Sequence, residues 1–324
     1  MSSLHGKVAI ITGSSRGIGK AIAIELAKKG VSIVLNGRDS SRLEKTTKEL
    51  KKIHKNIISV CCDVSIADQS KDMVSQAIEN FGKLDILINN VGVSMRGDVA
   101  DLNPEVFKTV FESNVLGSVY PTVPALKELR KTQGSIVFIS SLAGIRGLPY
   151  LSAYSSSKMA LRAIAESIRI EEKQNNIHVG LILVGITQIE HNKETISSDG
   201  TKIVLKNRDS SKVDSTKTVA EKVIKNIQKR KFITTLTPIG KLNKFLQARF
   251  PMLVEKIILK NRDSSKVDST KTVAEKVIKN IQKRKFITTL TPIGKLNKFL
   301  QARLPMLVEK IILSNLDKFK DKSE

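Results

Sequence analysis

The chain has 324 residues, of which 40% are hydrophobic, a composition typical of a globular protein and not of a disordered chain. Its two cysteines, Cys61 and Cys62, are adjacent, which excludes a disulfide framework and a cysteine-based metal site. The net charge of +24 is concentrated towards the C-terminus, since residues 1–205 carry +6 and residues 206–324 carry +18. This uneven distribution argues against nucleic acid as a partner.

Apolar runs alternate with longer helical patterns along the first part of the chain. The predicted strands are residues 8–12, 32–35, 58–62, 86–89, 135–140 and 178–183. The predicted helices are residues 18–29, 41–52, 67–81, 104–130 and 155–175. This alternation predicts a parallel sheet covered on both faces, a Rossmann-type doubly wound α/β fold with three layers. The first apolar run begins at Val8, which leaves no room for a signal peptide, so we expect a cytoplasmic location.

The turn after the first predicted strand has the sequence TGSSRGIG, from Thr12 to Gly19, and opens the first helix. Gly13 lets the chain turn, Gly17 lets the backbone approach a pyrophosphate, and Gly19 lets helix and strand pack closely. The helix N-terminus supplies N–H groups to the anion. The predicted dinucleotide contacts in this turn are Gly13, Ser15, Arg16, Gly17, Ile18 and Gly19.

The residues after the second predicted strand indicate which dinucleotide binds. Neither Asn36 nor Gly37 is the acid that usually binds the adenine ribose. Arg16 and Arg38 instead stand where a 2′-phosphate requires donors, which favours NADP(H) over NAD(H). Asp39 lies one residue too late to be that acid but leaves NAD(H) open.

Four further motifs follow in order: NNVG at residues 89–92, Asn114, Ser141, and YSSSK at residues 154–158. With the glycine turn, this set resembles the short-chain dehydrogenase/reductase family over residues 7 to about 259. The resemblance implies a catalytic tetrad, and Ser141 is chosen over Ser140 because it precedes Tyr154 by 13 positions. The implied tetrad is Asn114, Ser141, Tyr154 and Lys158.

The same resemblance implies further cofactor contacts outside the glycine turn. They are Asp63 to the adenine amine, the Val64 backbone beside it, Asn90 and Gly92 near the ribose, Ile186 and Thr187 at the nicotinamide, and Tyr154 and Lys158. Asp63 also fits an Asx turn after a strand, and Asn90 also fits a structural brace, so both alternatives stay open.

The spacing of Tyr154 and Lys158 supports proton transfer independently of the resemblance. Residues four apart in a helix lie one turn from each other on the same face. A phenol titrates at about 10 and is a poor base near neutral pH, whereas a nearby ammonium and a cationic nicotinamide favour the phenolate. Tyr154 is then able to shuttle a proton, and Ser141 to donate a hydrogen bond to the substrate oxygen. We expect Asn114 to order a water that links Lys158 to solvent.

The chain departs from the family at Val184-Gly185, where the family usually has Pro-Gly. Losing proline frees φ and adds an N–H donor, so we expect an altered grip on the cofactor at Ile186 and Thr187. The polar stretch at residues 188–218 is predicted to be a mobile lid over the substrate. The apolar residues flanking the site favour an apolar ketone or aldehyde, such as a 3-oxoacyl, steroid or lipid-like compound; they are Val93, Met95, Leu148, Pro149, Tyr150 and Leu151. The four histidines are scattered without metal-ligand spacing, and no metal site is predicted.

The C-terminal part contains an internal repeat, with residues 206–259 and 260–313 differing only at Phe250 and Leu304. Two copies this alike indicate a recent duplication, an engineered chain or an error in gene assembly. We predict a catalytic domain at residues 1–259 that includes the first copy, a duplicated segment at 260–313 and a polar tail at 314–324. Only one copy can complete the sheet edge, and the first has the shorter connection. The basic amphipathic pattern at residues 239–257 either packs on its own domain or contacts a membrane surface.

Three functions remain open from the sequence. The tetrad favours an enzyme that acts on a small carbonyl or alcohol substrate. A cofactor-binding regulator without turnover and a basic membrane-surface protein are the alternatives. The family resemblance also implies a homodimer or homotetramer built from the helices around Asn114 and Tyr154.

Overall fold

A computed structural model describes residues 3–188, 193–205 and 213–236. The chain divides into two compact units, Met1–Leu236 and Thr237–Glu324, and all described residues belong to the first. The predicted boundary at residue 259, the amphipathic stretch at 239–257, the second repeat copy and the tail at 314–324 lie outside the described residues.

Ten strands are described in two sheets. In chain order they are β1 (Val8–Ile11), β2 (Ser32–Gly37), β3 (Ile57–Cys61), β4 (Ile86–Asn89), β5 (Met95–Arg96), β6 (Ser135–Ser141), β7 (His178–Val184), β8 (Glu194–Ser197), β9 (Lys202–Val204) and β10 (Ile233–Thr235). The main sheet has the strand order β10-β7-β6-β4-β1-β2-β3, and all its neighbouring strands are parallel. The predicted doubly wound α/β fold is therefore confirmed.

Seven α-helices are described around this sheet. They are α1 (Gly17–Ala27), α2 (Ser40–Lys51), α3 (Ala67–Phe81), α4 (Pro104–Phe111), α5 (Gly117–Thr132), α6 (Ser152–Glu171) and α7 (Thr216–Gln228). Helices α1, α2 and α7 bury apolar side chains on one face of the sheet, and α3, α5 and α6 do so on the other. Successive side chains of a strand point to opposite faces of a sheet. In β1, Ile10 therefore packs in the apolar cluster on one face and Ile11 in the cluster on the other, and both are buried. The core therefore lies in two layers, one on each side of the strands.

One helix was predicted for residues 104–130, and this prediction is wrong in the middle of the range. A π-helical turn at Glu112–Leu116 separates α4 from α5. Such a turn inserts one residue into the helical ladder and is common at functional sites. Here it directs Asn114, which is fully buried, towards the loop after β4. Helical periodicity did not reveal this insertion because the apolar spacing continues on both sides of it.

A small second sheet stands where the sequence predicts a mobile lid. Strands β8 and β9 form an antiparallel hairpin, and β8 pairs in parallel with β5. The Thr195 hydroxyl donates to the Ser94 carbonyl at 2.7 Å, and Asn103 N donates to the Ser198 carbonyl at 2.8 Å. Residues 193–205 of the predicted lid thus form a hairpin that is attached to the domain at its first strand and at its tip.

The first repeat copy supplies the edge of the main sheet. Val219, Val223 and Ile227 of α7 are buried, as their helical spacing predicts. Strand β10, from the strand-like run at residues 232–236, pairs with β7 through Ile233 and Leu181. The described part of the first copy therefore completes both a helical layer and the sheet.

Candidate active site

A cavity of about 890 Å³ lies at the C-terminal ends of the main-sheet strands. This is where a ligand is expected in an open parallel sheet, and the volume falls in the range typical of cofactor sites. The cavity brings together most of the predicted site residues. Those lining it are Gly13, Ser15, Arg16, Gly17, Ile18, Arg38, Asp63, Val64, Asn90, Gly92, Ser141, Tyr154, Lys158, Ile186 and Thr187. The remaining two, Gly19 and Asn114, are not part of its lining.

The glycine turn between β1 and α1 has the shape of an anion cradle. Gly13 and Gly17 have φ values of +60° and +58°, which side chains other than glycine rarely adopt. A Cβ on Gly17 would meet no atom within 4 Å outside its chain neighbours and its own helix, so the positive φ, and not close packing, is the reason for glycine there. A Cβ on Gly19 would instead lie 2.3 Å from the Gly13 carbonyl oxygen, so Gly19 lets α1 pack against the turn. The turn therefore fits a dinucleotide pyrophosphate at the helix N-terminus.

Two asparagines hold this turn in place. The Asn36 side chain accepts Gly13 N–H at 3.1 Å and donates to the Val60 and Cys62 carbonyls at 3.3 and 3.2 Å. The Asn90 amide donates to the Thr12 and Gly13 carbonyls at 2.9 and 3.0 Å. Asn90 thus acts as the structural brace that the sequence left open, and its contact with a cofactor stays a prediction. The role of Asn36 was missed because it connects three strand ends that are distant in sequence.

Three arginines line the end of the cavity beside β2 and β3: Arg16, Arg38 and Arg42. Arg38 donates to Asp63 at 3.2 Å. Burial raises the pKa of Asp63, but hydrogen bonds from Ser65 and the Arg38 charge outweigh it, so the pKa lies below its usual value. Asp63 is therefore an anion held by Ser65 and Arg38, and its Ser65 contacts are those of an Asx turn.

Asp39 is engaged in local structure. Its side chain accepts Arg42 N–H at 2.9 Å as the N-cap of α2 and forms an ion pair with the Arg42 guanidinium at 3.2 Å. Asp39 also lines the cavity, and its charge there is balanced by Arg42. Arg42 was not predicted from the sequence as a site residue, although it lies in the first turn of α2, close to the cofactor end of β2.

Tyr154 and Lys158 lie one turn apart on α6, as their spacing predicts. The Lys158 Nζ atom is 5.9 Å from the centre of the Tyr154 ring and donates to the Ile139 carbonyl at 3.1 Å. Burial, with a smaller contribution from the positive charge of Lys193, lowers the pKa of Lys158 to about 8. An ammonium beside the phenol favours its ionised form, so the pair is suited to proton transfer.

Ser141, at the end of β6, accepts Ala143 N–H at 3.1 Å. A hydroxyl that accepts one hydrogen bond keeps its own hydrogen to donate. The neighbouring Ser140 is buried and donates to the Lys158 backbone carbonyl at 3.0 Å. This difference supports the choice of Ser141 over Ser140 as the donor to a substrate oxygen.

Asn114 connects the loop after β4 to helix α6. Its side chain accepts Val93 N–H at 2.7 Å and donates to the Val93 carbonyl and to the Ser157 hydroxyl at 3.0 and 2.9 Å. Ser157 in turn donates to the Tyr154 carbonyl at 2.8 Å. Asn114 therefore positions the helix that carries Tyr154, and its predicted water stays a prediction. A Cβ on Gly92 would lie 3.0 Å from both Asn114 Oδ1 and Lys158 Nζ, which explains a glycine there.

The turn after β7 is held by the first repeat copy. Val184 remains within the strand, opposite Ser141. Gln188 N donates to the Asp214 carbonyl at 2.9 Å, and Asp214 N donates to the Ile186 carbonyl at 3.2 Å. These bonds fix the turn in the absence of the usual proline, and Asp214 was not foreseen.

Within residues 3–188, 193–205 and 213–236, no group of histidine, cysteine and acidic side chains is placed to hold a metal ion. In the same ranges, no helix has the length and hydropathy to cross a membrane.

Comparison with known sequences agrees with this geometry. The sequence model of one family, described as short chain dehydrogenase, matches residues 7–200. A 3-dehydrosphinganine reductase of Danio rerio is 41% identical over 184 residues, which are 54% of this chain and 55% of the relative. A dehydrogenase/reductase SDR family member 7B of Bos taurus is 31% identical over 261 residues, 77% of this chain and 79% of the relative. The chain spans about half the length of the first of these relatives.

Two solved structures share the fold. A short chain dehydrogenase/reductase from Burkholderia phymatum in complex with NAD has a TM-score of 0.67 at 23% identity, covering 83% of this chain and 100% of that one. An alcohol dehydrogenase from the archaeon Thermococcus sibiricus, complexed with 5-hydroxy-NADP, has a TM-score of 0.62 at 27% identity. The match covers 71% of this chain and 95% of the alcohol dehydrogenase chain.

Proposed function

The chain belongs to the short-chain dehydrogenase family, and from this premise we propose that it transfers a hydride between NADP(H) and a carbonyl or secondary alcohol substrate. The observation that carries the proposal is the single cavity that holds the glycine turn, Ser141, Tyr154 and Lys158 together. A dinucleotide site and a proton-transfer pair in one cavity suit hydride transfer coupled to proton transfer.

Each side chain has a defined part in the proposed reduction. The nicotinamide supplies the hydride when the cofactor is bound. Ser141 donates a hydrogen bond to the carbonyl oxygen and stabilises the negative charge that develops there. Tyr154 donates its phenolic proton to that oxygen, and the buried Lys158 ammonium stabilises the resulting phenolate. Asn114 and Ser157 hold α6 so that Tyr154 faces the cavity that Ser141, at the end of β6, also lines.

The choice of NADP(H) over NAD(H) rests on the charges beside β2. Arg16, Arg38 and Arg42 line that end of the cavity, while Asp39 caps α2 and pairs with Arg42. Gly37 is buried, and a Cβ there would lie 3.0 Å from Ser15 Oγ, so an acidic side chain that binds a ribose would be crowded at this position. A 2′-phosphate is the group best matched to guanidinium donors in this place.

The proposed substrate is an apolar ketone or aldehyde, of 3-oxoacyl, steroid or lipid-like type. Val93, Leu148 and Leu151 line the cavity near Tyr154 and provide apolar surface. The names of two relatives, a 3-dehydrosphinganine reductase and an 11-beta-hydroxysteroid dehydrogenase, refer to lipid-like and steroid substrates and support this choice.

NADPH oxidation with a panel of apolar ketones and aldehydes tests this function. Wild type is expected to turn over at least one carbonyl, while Tyr154→Phe binds NADPH, measured by its fluorescence, and loses turnover by at least about a hundredfold. Binding of NADPH without turnover of any carbonyl would favour a regulator instead. Absence of NADPH binding would overturn the cofactor assignment.

We also propose a homodimer or homotetramer. Phe107 on α4, Val123 on α5 and Met159 on α6 are exposed apolar side chains, which supports an interface on these helices. Sedimentation velocity of wild type and Val123→Glu tests it, and a monomeric wild type would contradict it. The cytoplasmic location and the membrane-surface contact of the basic C-terminal stretch stay predictions.

A further inference from the structure

The hairpin of β8 and β9 reaches the active site through a residue that does not line the cavity. Thr195 of β8 is only 3% exposed, although β9, its partner strand, is exposed along its length. The Ser94 carbonyl accepts the Ile196 N–H at 3.0 Å, as the pairing of β5 with β8 requires, and it also accepts the Thr195 hydroxyl at 2.7 Å. The hydroxyl bond is therefore an addition to the strand pairing, and it occupies the second lone pair of that carbonyl.

The residue before Ser94 is held by Asn114. Val93 N–H donates to the Asn114 side chain at 2.7 Å, and the Asn114 amide donates to the Val93 carbonyl at 3.0 Å. Val93 and Ser94 are thus fixed by two elements, the π-helical turn that carries Asn114 and the hairpin. Both residues line the cavity, whereas Thr195 is not part of its lining. Thr195 therefore acts on the cavity through Ser94 and Val93.

The same chain of contacts continues to the helix that carries the proton-transfer pair. Asn114 donates to the Ser157 hydroxyl at 2.9 Å, and Ser157 donates to the Tyr154 carbonyl at 2.8 Å. Apolar packing joins these segments as well, since Val93, Tyr154 and Ile196 all pack against one buried cluster. Two of the three described hydrogen bonds of the Asn114 side chain go to Val93. A shift of Val93 therefore displaces Asn114 and, through Ser157, the start of α6.

We propose that Thr195 is a positioning residue for the proton transfer. Its hydroxyl lets the hairpin hold residues 93 and 94, and through Asn114 the hairpin then fixes the helix that carries Tyr154. This inference rests on the proposed function and gives the hairpin a part in catalysis as well as its predicted part as a lid. Proton transfer falls steeply when its donor is misplaced, so a hydrogen bond outside the cavity affects kcat.

Three variants of the full chain separate the hydroxyl from the shape of the side chain. Thr195→Val keeps the β-branched shape that suits a strand and removes only the hydroxyl. The Ser94 carbonyl keeps the Ile196 N–H in this variant, so the variant is expected to fold. Thr195→Ser restores the hydroxyl. The matched control is Thr201→Val, which removes an exposed hydroxyl from the turn of the same hairpin, where it bonds to Asp199 at 2.7 Å.

The measurements are kcat for ketone reduction per NADPH-binding site, the NADPH dissociation constant and the solvent isotope effect on kcat. In Thr195→Val, kcat is expected to fall about threefold to tenfold while NADPH affinity stays within about twofold of wild type. The solvent isotope effect is expected to rise, because transfer of the Tyr154 proton becomes slower, whereas partial unfolding changes the number of sites and not this effect.

The two other variants are expected to keep kcat within about twofold of wild type, because one retains the Thr195 hydrogen bond and the other alters an exposed turn. A kcat in Thr195→Val equal to that of wild type would overturn the inference. So would a kcat in Thr195→Ser as low as that in Thr195→Val.

A double-mutant cycle with Asn114→Ala tests the route through Asn114. Residues that act through one another give losses that do not add. In the Asn114→Ala background, Thr195→Val is therefore expected to lower kcat by less than about twofold. If Asn114→Ala does not fold, Ser157→Ala interrupts the same contacts and serves as the background. Losses that multiply in the double variant would show another route and overturn the inference.

Failure of the proposed function gives a different pattern. If wild type turns over no ketone, that function fails, and hydrogen exchange in the presence of NADPH still decides the role of Thr195. Faster amide exchange at residues 90–95 and 152–158 in Thr195→Val than in Thr201→Val would support that role, because the loop after β4 and the start of α6 are then held less firmly. Equal exchange in the two variants would overturn it.

Discussion

Arg38, which we propose to bind the 2′-phosphate of NADP(H), has a side chain that is 70% exposed and paired with Asp63, so its ion pair is weakened by water. Such a pair is readily exchanged for a phosphate. Arg38→Gln is expected to weaken NADPH binding about tenfold and to leave NADH binding within about twofold, because only NADPH carries the 2′-phosphate. Fluorescence titration with both cofactors measures the ratio. Equal losses for the two cofactors would contradict the role of Arg38.

The titration of Lys158 is expected to make the rate of the proposed reduction depend on pH. With its pKa lowered to about 8, it loses its proton as the pH rises through that value, and with the proton it loses the charge that stabilises the Tyr154 phenolate. We expect kcat/KM for reduction to fall above about pH 8. Lys193→Gln removes a like charge, so it is expected to move this basic limb to higher pH. A limb that stays in place or moves down would show that Lys193 does not act on Lys158.

The packing of α1 on its glycine turn depends on Gly19. In Gly19→Ala the new methyl group would meet the Gly13 carbonyl oxygen, so the turn has to open and the pyrophosphate cradle changes shape. We expect NADPH affinity to fall by more than about tenfold. Gly147→Ala is the matched control, because no atom lies within 4 Å of its added Cβ. NADPH affinity in Gly19→Ala equal to that of the control would refute this account.

At the scale of elements, most of the main sheet was predictable because its central strands, such as β1, β2 and β7, are buried on both faces. Their apolar runs are continuous, and the helices between them keep a regular apolar stripe. The lid hairpin was not predictable, since β9 is exposed along its length and Thr195 is the buried residue of β8. Its pairing with β5 joins segments about a hundred residues apart, and no local pattern encodes that contact.

The same distinction applies to the site. Tyr154, Lys158 and the glycine turn belong to short motifs, so their proximity follows from a single turn of helix or one strand-turn-helix unit. The roles of Asn36 and Asp214 were missed because each acts through contacts with other segments of the chain. Residues that shape a cavity from separate elements become visible only once the chain is folded.

The edge strand β10 is tied to the main sheet by His178, which gives its attachment a pH dependence. The His178 ring bonds to the Lys231 carbonyl at 3.0 Å and to the Ser135 hydroxyl at 3.2 Å. Burial lowers the pKa of His178 to about 4, and the Lys231 bond offsets this only in part. The folded chain therefore holds His178 neutral at pH values where an unfolded chain protonates it.

The sign of the effect on stability follows from this difference. Between pH 6.5 and about 4 the unfolded chain binds a proton that the folded chain does not, so the free energy of unfolding falls as the pH is lowered through that window. The loss amounts to about 3 kcal/mol. Urea unfolding at several pH values is expected to show a smaller acid loss in His178→Gln than in wild type or in His54→Gln. An unchanged slope in His178→Gln would contradict this assignment.

At the scale of the whole molecule, the repeat accounts for much of the charge, since each 54-residue copy carries +9 of the total +24. The first copy already supplies α7, β10 and the Asp214 contact to the turn after β7. The place beside β7 is therefore occupied by β10 of the first copy. The proposed function therefore assigns no role in the cavity to residues 260–313.

Deleting one copy at a time tests this organisation with a built-in control. Removal of residues 260–313 or of residues 206–259 gives two 270-residue chains that differ only by Phe250 or Leu304. Because either copy can then follow residue 205 directly, both chains are expected to bind NADPH within about twofold of the full chain and to keep their turnover. Both deletions also remove the same +9 of charge, so a common loss of liposome binding would assign membrane contact to the duplicated segment. A loss of NADPH binding in both would show instead that two copies are needed to build the site.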